Sequence, residues 1–285
     1  MVVLQLICFA IVSLFVVVRT LRARNRRAFL LRMALLFVGS WIAEDTCIHA
    51  YGFYYYDAQW LVFVDQLPLS VVLIWPVVIQ SAWDIAGHLL GRQHRLVPLA
   101  GAAIVLADAS MIEPIATYAG LWAWTEPGLF AVPPIGVLGW ALFAGLSMAW
   151  LDHNRRTDRS GLRDLWVVLL APAGTHLLLL ASWWGLFRWI NVTIDPWPVV
   201  VVAWLVSIGL ASWSLRVGAR RRVPPIDMFL RVPAAVFFFV LLAQHCRDAP
   251  ALIAYGIAFA PPYLSLTRLD LSDLRRSVRA GGAAP

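Results

Sequence analysis

Runs of apolar residues recur along the chain, separated by short segments where arginine, aspartate, glycine and proline gather. A helix that crosses hydrocarbon needs about 20 mostly apolar residues. Nine segments qualify, at 1–18, 28–48, 67–89, 96–118, 133–151, 165–187, 197–215, 228–245 and 251–267. The pattern predicts an all-α, polytopic transmembrane helix bundle forming one integral membrane domain over 1–285, with 268–285 as a cytoplasmic tail. Met1–Val18 has no basic leader and no small-residue cleavage site, so it reads as a span and not as a removable signal. The last span is the least regular, because Pro261-Pro262 falls inside it.

Arginine placement supplies the expected orientation. With the N-terminus outside, 21 of the 23 basic residues fall on the inner side and only Arg188 and Arg247 fall outside. Basic loops are retained on the cytoplasmic side, which points to the inner membrane of a bacterial cell with a cytoplasmic C-terminus. Composition agrees: 61% of residues are apolar and 14% charged, against about 45–50% and about 25% in soluble domains. All basic residues are arginine, which excludes a Schiff-base lysine and a P-loop lysine. The net charge of +7 lies between apolar runs and is a topology signal, so no nucleic-acid partner is expected. Cys8, Cys47 and Cys246 form no CxxC, and the six histidines form no HxxxH or HExxH. No metal site and no cofactor is expected, and without a DDxxD motif a prenyltransferase is disfavoured.

One internal repeat stands out, in units of about 40–75 and 104–140. The first reads Glu44-x4-His49, then Gly52-Phe53-Tyr54-Tyr55-Tyr56, then Pro68 and Trp75. The second reads Asp108-x4-Glu113, then Gly120-Leu121-Trp122-Ala123-Trp124, then Pro133 and Trp140. Each is an acid on an outgoing helix, a Gly-aromatic loop, and a proline-led returning helix. This spacing matches Glu44 with Asp108 and His49 with Glu113, and binding sites often form where such repeats meet.

Ionisable groups at membrane depth are costly and so need a reason. Asp108 lies about 16 Å into its span at 1.5 Å per residue, near the midplane, which makes it the expected proton donor. Glu113 or Glu44 would then position or activate water, with His49 as a further base near them. Aromatic faces stabilise cations, so Tyr54, Tyr56, Trp75, Trp122, Trp124 and Trp140 are expected to line the site. A buried acid, π-faces and an apolar cavity are what protonating an alkene requires. Asp84 and His88, at i and i+4, are expected to pair with each other or with Arg92.

At these two hairpins the sequence resembles carotenoid-biosynthesis membrane proteins typified by the carotenoid 1′,2′-hydratases. The residues that carry the likeness are Glu44, Gly52-Phe53-Tyr54-Tyr55-Tyr56, Pro68 and Trp75, then Asp108, Glu113-Pro114, Gly120-Leu121-Trp122-Ala123-Trp124, Val132-Pro133 and Gly139-Trp140. The match is clear over 40–150; it departs in having Glu113 where the family has Asp, and Gly136 where it has Asn. The resemblance implies a hydro-lyase that adds water across the terminal C1′=C2′ bond of an acyclic carotenoid. It also implies a hydrophobic carotenoid substrate within the lipid bilayer and other enzymes of that pathway as partners. Two alternatives stay open on the residues: a carotenoid cyclase that begins with the same protonation, and a proton-coupled transporter or lipid-binding protein with the acids as a relay.

Overall fold

A computed structural model describes residues 1–91, 94–190, 192–217 and 223–266. The expected tail at 268–285 and Arg92 lie outside the described residues. Helices α1 (Val2–Arg22) and α2 (Arg26–Tyr51) are followed by three short strands, β1 (Tyr54–Tyr56), β2 (Phe63–Val64) and β3 (Leu67–Pro68). Helices α3 (Leu69–Leu90) and α4 (Val97–Tyr118), strand β4 (Trp122–Trp124) and helix α5 (Pro134–Arg156) complete the two hairpins. Then come α6 (Val167–Ser182), α7 (Arg188–Ile190), α8 (Pro196–Val217), α9 (Pro225–Phe229), α10 (Val232–His245), α11 (Pro250–Ile257) and α12 (Ala260–Leu266).

These helices fall on the nine expected segments. A 3-10 turn leads into α6 and a π turn joins α6 to α7, making one rod over Leu162–Ile190. Among the described residues, seven rods are long and apolar enough to cross a membrane. The rod at α2 is long enough but carries Arg26, Arg27, Arg32, Glu44, Asp45 and His49. The ninth, Pro250–Leu266, is shorter, and it breaks just before Pro261 and Pro262. Val201, Val202, Leu205 and Val206 of α8 are all more than half exposed. Such a face is stable in hydrocarbon and unfavourable in water.

Local chemistry sets the ends of the hairpins. Asn25 caps α2 by accepting from the Ala28 N–H at 3.0 Å. Gly52 ends α2 at φ 61°, and Gly120 follows α4 at φ 72°. Both lie in the left-handed region that glycine occupies without steric cost. Pro68 and Pro133 start the returning helices α3 and α5, where a missing N–H costs nothing. Helices α2 to α6 pack through Leu36, Trp75, Ile79, Phe143 and Met148. Helices α1, α4, α8, α10 and α11 share a second core around Ile115, Leu241 and Leu252. Helix α4 therefore stands between two cores, with a cavity on either side of it.

Candidate active site

The two aromatic loops pair with each other. Strand β1 runs antiparallel to β4, with Tyr54 opposite Trp124 and Tyr56 opposite Trp122. Alternation along a strand sends i and i+2 to one face. Tyr54, Tyr56, Trp122 and Trp124 accordingly turn inward, while Tyr55 is exposed. Outside the strands, the Thr125 N–H donates to the Phe53 carbonyl at 2.8 Å. The Trp60 indole donates to the Leu121 carbonyl at 2.9 Å. This ribbon roofs a cavity of about 60 Å³, room for a few waters or the tip of a branched chain.

Two carboxyl groups face that cavity. Glu113 is 3% exposed and accepts three indole N–H bonds, from Trp122 at 2.7 Å, Trp124 at 3.0 Å and Trp140 at 2.7 Å. Glu44 accepts from the Trp75 indole at 2.8 Å and from the Tyr56 hydroxyl. The Tyr54 hydroxyl reaches the Glu44 backbone carbonyl at 3.5 Å. Burial first, and then the nearby Glu44, push the Tyr54 and Tyr56 phenols well above their ordinary range. Both therefore stay protonated as donors. Trp75 stacks on Trp140 with centroids 4.5 Å apart, and Phe143 meets Trp75 edge-on at 5.4 Å. Arginine, lysine and histidine are absent from the cavity lining among the described residues.

Side-chain pairing gives the repeat a different register from the one its spacing suggested. Trp75 holds Glu44 and Trp140 holds Glu113, so Glu44 and Glu113 are the equivalent acids. Asp108 is elsewhere, on the other side of α4 in the second cavity. Arg231 donates to both oxygens of Asp108, Tyr263 donates to one of them, and Arg231 also reaches Ser81 at 3.0 Å. Expected as the proton donor, Asp108 instead lies outside the aromatic cavity and is engaged by a guanidinium, the geometry of a counter-ion. Arg231, counted as an inner-loop topology charge, is this buried partner.

His49 also lies outside the chamber. Its side chain is 52% exposed and bonds Asp65 at 2.9 Å, with Asp45 at 3.7 Å. Asp84 pairs with Arg19, and His88 contacts Asp227 at 3.2 Å, not Asp84. Cys8, Cys47 and Cys246 are free and buried. The chamber brings together Glu44, Glu113, Tyr54, Tyr56, Trp75, Trp122, Trp124 and Trp140. Phe53, Cys47, Phe143 and Thr175 join them. Thr175 comes from α6, where no spacing in the sequence points at a site.

Comparison with curated proteins and with solved structures finds no match. A model of a carotenoid biosynthesis protein family matches residues 1–210, a span that contains both hairpins and the whole aromatic chamber. The chain belongs to the carotenoid biosynthesis protein family.

Proposed function

We propose that the chain hydrates the terminal double bond of an acyclic carotenoid, with Glu44 and Glu113 as its acid and base. The observation that carries this reading is a pair of carboxyl groups facing one aromatic cavity with no arginine or histidine lining it among the described residues. Two negative charges facing one apolar cavity are unfavourable, so one of the two carboxyl groups holds a proton. Glu113, with three N–H donors against two donors on Glu44, better accommodates the charged form. That makes Glu44 the donor and Glu113 the carboxylate.

The alkene π pair takes the Glu44 proton and forms a C–H bond at the less substituted carbon. The other carbon becomes a tertiary cation, which Trp122, Trp124, Tyr54 and Tyr56 face with their π-systems. A water oxygen then forms the C–O bond, and its surplus proton passes to Glu113. Transfer of that proton to Glu44 through chamber water restores the starting state. Arg19, Arg24, Arg32 and Arg155 surround one cavity at the opposite end of the bundle. This supports an orientation in a bacterial inner membrane with that end cytoplasmic and the N-terminus outside.

The test is expression in a bacterium that accumulates an acyclic carotenoid, followed by liquid chromatography and mass spectrometry. Product heavier by one water per modified end is expected. Glu44→Gln and Glu113→Gln should each reduce it by about 10²-fold or more. Unchanged mass with an altered spectrum would assign a cyclase. Unchanged pigment would overturn the enzymatic reading.

A further inference from the structure

We propose that the Asp108 cavity is a second binding site, for a long-chain isoprenoid ending in a neutral oxygen function, an alcohol or a carbonyl. The cavity, about 240 Å³, lies between α1, α3, α4, α10 and α12 and shares no lining residue with the Glu44–Glu113 chamber. Its walls are apolar, with Phe15, Val77, Met111, Ile112, Phe238 and Phe259 among them. The polar lining groups are Ser81, Asp108, Arg231 and Tyr263, and they are bonded to one another at one place on the wall. Pockets of this kind use a few convergent polar groups to orient an otherwise apolar ligand.

Two observations fix the class of ligand. Val232 and Leu264 line the cavity and are 47% and 68% exposed. In a membrane protein such a rim opens onto lipid, so the ligand arrives from the bilayer and is mostly hydrocarbon. Asp108 and Arg231 cancel each other's charge, so a charged head would be buried without a partner, which is costly. Arg231 spends its terminal nitrogens on Ser81, Asp108 and Tyr263, and its Nε–H has no partner among the described residues. A neutral oxygen can accept there, whereas a pure hydrocarbon would leave the donor unpaired.

The test uses detergent-purified full-length chain and native mass spectrometry with geranylgeraniol as probe. The hydrocarbon phytane and geranylgeranoic acid are the controls. One alcohol per chain should bind, at least about tenfold tighter than either control, the difference one hydrogen bond to a charged group makes. Ala235→Trp, which fills the cavity, should abolish binding, and Glu113→Gln should leave it unchanged. Competition by a hydroxylated acyclic carotenoid or by an isoprenoid quinone identifies which source of the oxygen function is preferred. Equal binding of alcohol and hydrocarbon on the wild-type chain would overturn the proposal. So would loss of binding in Glu113→Gln, or failure of both competitors.

Discussion

Trp140 shows how much a single atom is asked to do. Its indole stacks on Trp75 and donates to Glu113 at 2.7 Å. Trp140→Phe keeps a ring in place and removes only the N–H. A hydrogen bond to a charged group contributes about 1.5–3 kcal/mol, so carotenoid conversion should fall at least about tenfold, with Trp140→Leu falling further. Wild-type conversion by Trp140→Phe in membranes would remove that N–H from the chemistry. Glu44, Glu113 and their indoles were legible in the sequence because acid, aromatic loop and tryptophan recur at short spacing within each hairpin. Asp108 misled because depth in a span says nothing about partners. Its guanidinium is 123 residues away and its phenol 155, and Arg231 looked like one more loop charge. His49 lies outside the chamber for a similar reason: the last turn of a helix can face solvent or the core, and its partner Asp65 sits in the two-residue turn between β2 and β3.

The elements that matter most are two short strands, β1 and β4. Gly-x-aromatic-x-aromatic told where each hairpin turns and that glycine ends the helix, but neither three-residue strand could announce that its partner was the other. Pairing of β1 with β4 is long-range, and it decides which acid faces which. Helix α5 supports this ribbon through Gly136, where an added Cβ would lie 2.6 Å from the Trp124 ring. Gly136→Ala should therefore displace Trp124, lengthen its bond to Glu113 and lower conversion. Combining it with Trp124→Phe should add little, since both act on one contact. Full additivity would place the glycine's effect elsewhere. A second element, the loop between β1 and β3, is clasped by His49 and Asp65. Their hydrogen bond, first among the causes, lowers Asp65 below 3.8 and raises His49 above 6.5. The Asp65 contribution is present above 3.8 and lost as pH falls through its lowered value. The His49 contribution is present below 6.5 and lost as pH rises through its raised value. Exchange protection of the loop, corrected for the intrinsic pH dependence of amide exchange, should be greatest between those limits and fall as pH rises through the raised His49 value, with His49→Gln flattening the profile.

At the scale of the molecule, arginine has two jobs that the sequence could not separate. Nine apolar segments and the alternation of basic loops were enough to read a membrane bundle, because a helix satisfies its own backbone hydrogen bonds where hydrocarbon offers none. Which arginines merely mark a loop and which hold helices together depends on contacts between distant elements. Arg19, near the end of α1, bonds Asp84 of α3 and Asp227 of α9, and His88 of α3 also meets Asp227. This joins three elements around a polar cavity of about 460 Å³ that also contains Arg22, Arg24 and Arg32. Without Arg19, two partly buried carboxylates face each other with less compensation, and removing one member of such a network costs more than the network contributes when intact. Arg19→Gln should lower the melting temperature of the detergent-solubilised chain. Adding Asp227→Asn should recover part of the loss, because one of the under-compensated charges leaves with it. Conversion per folded molecule should stay at the wild-type level in both variants, since Arg19 and Asp227 line neither the Glu44–Glu113 chamber nor the Asp108 cavity. Equal melting temperatures with and without Asp227→Asn would mean that charge compensation is not what Arg19 provides.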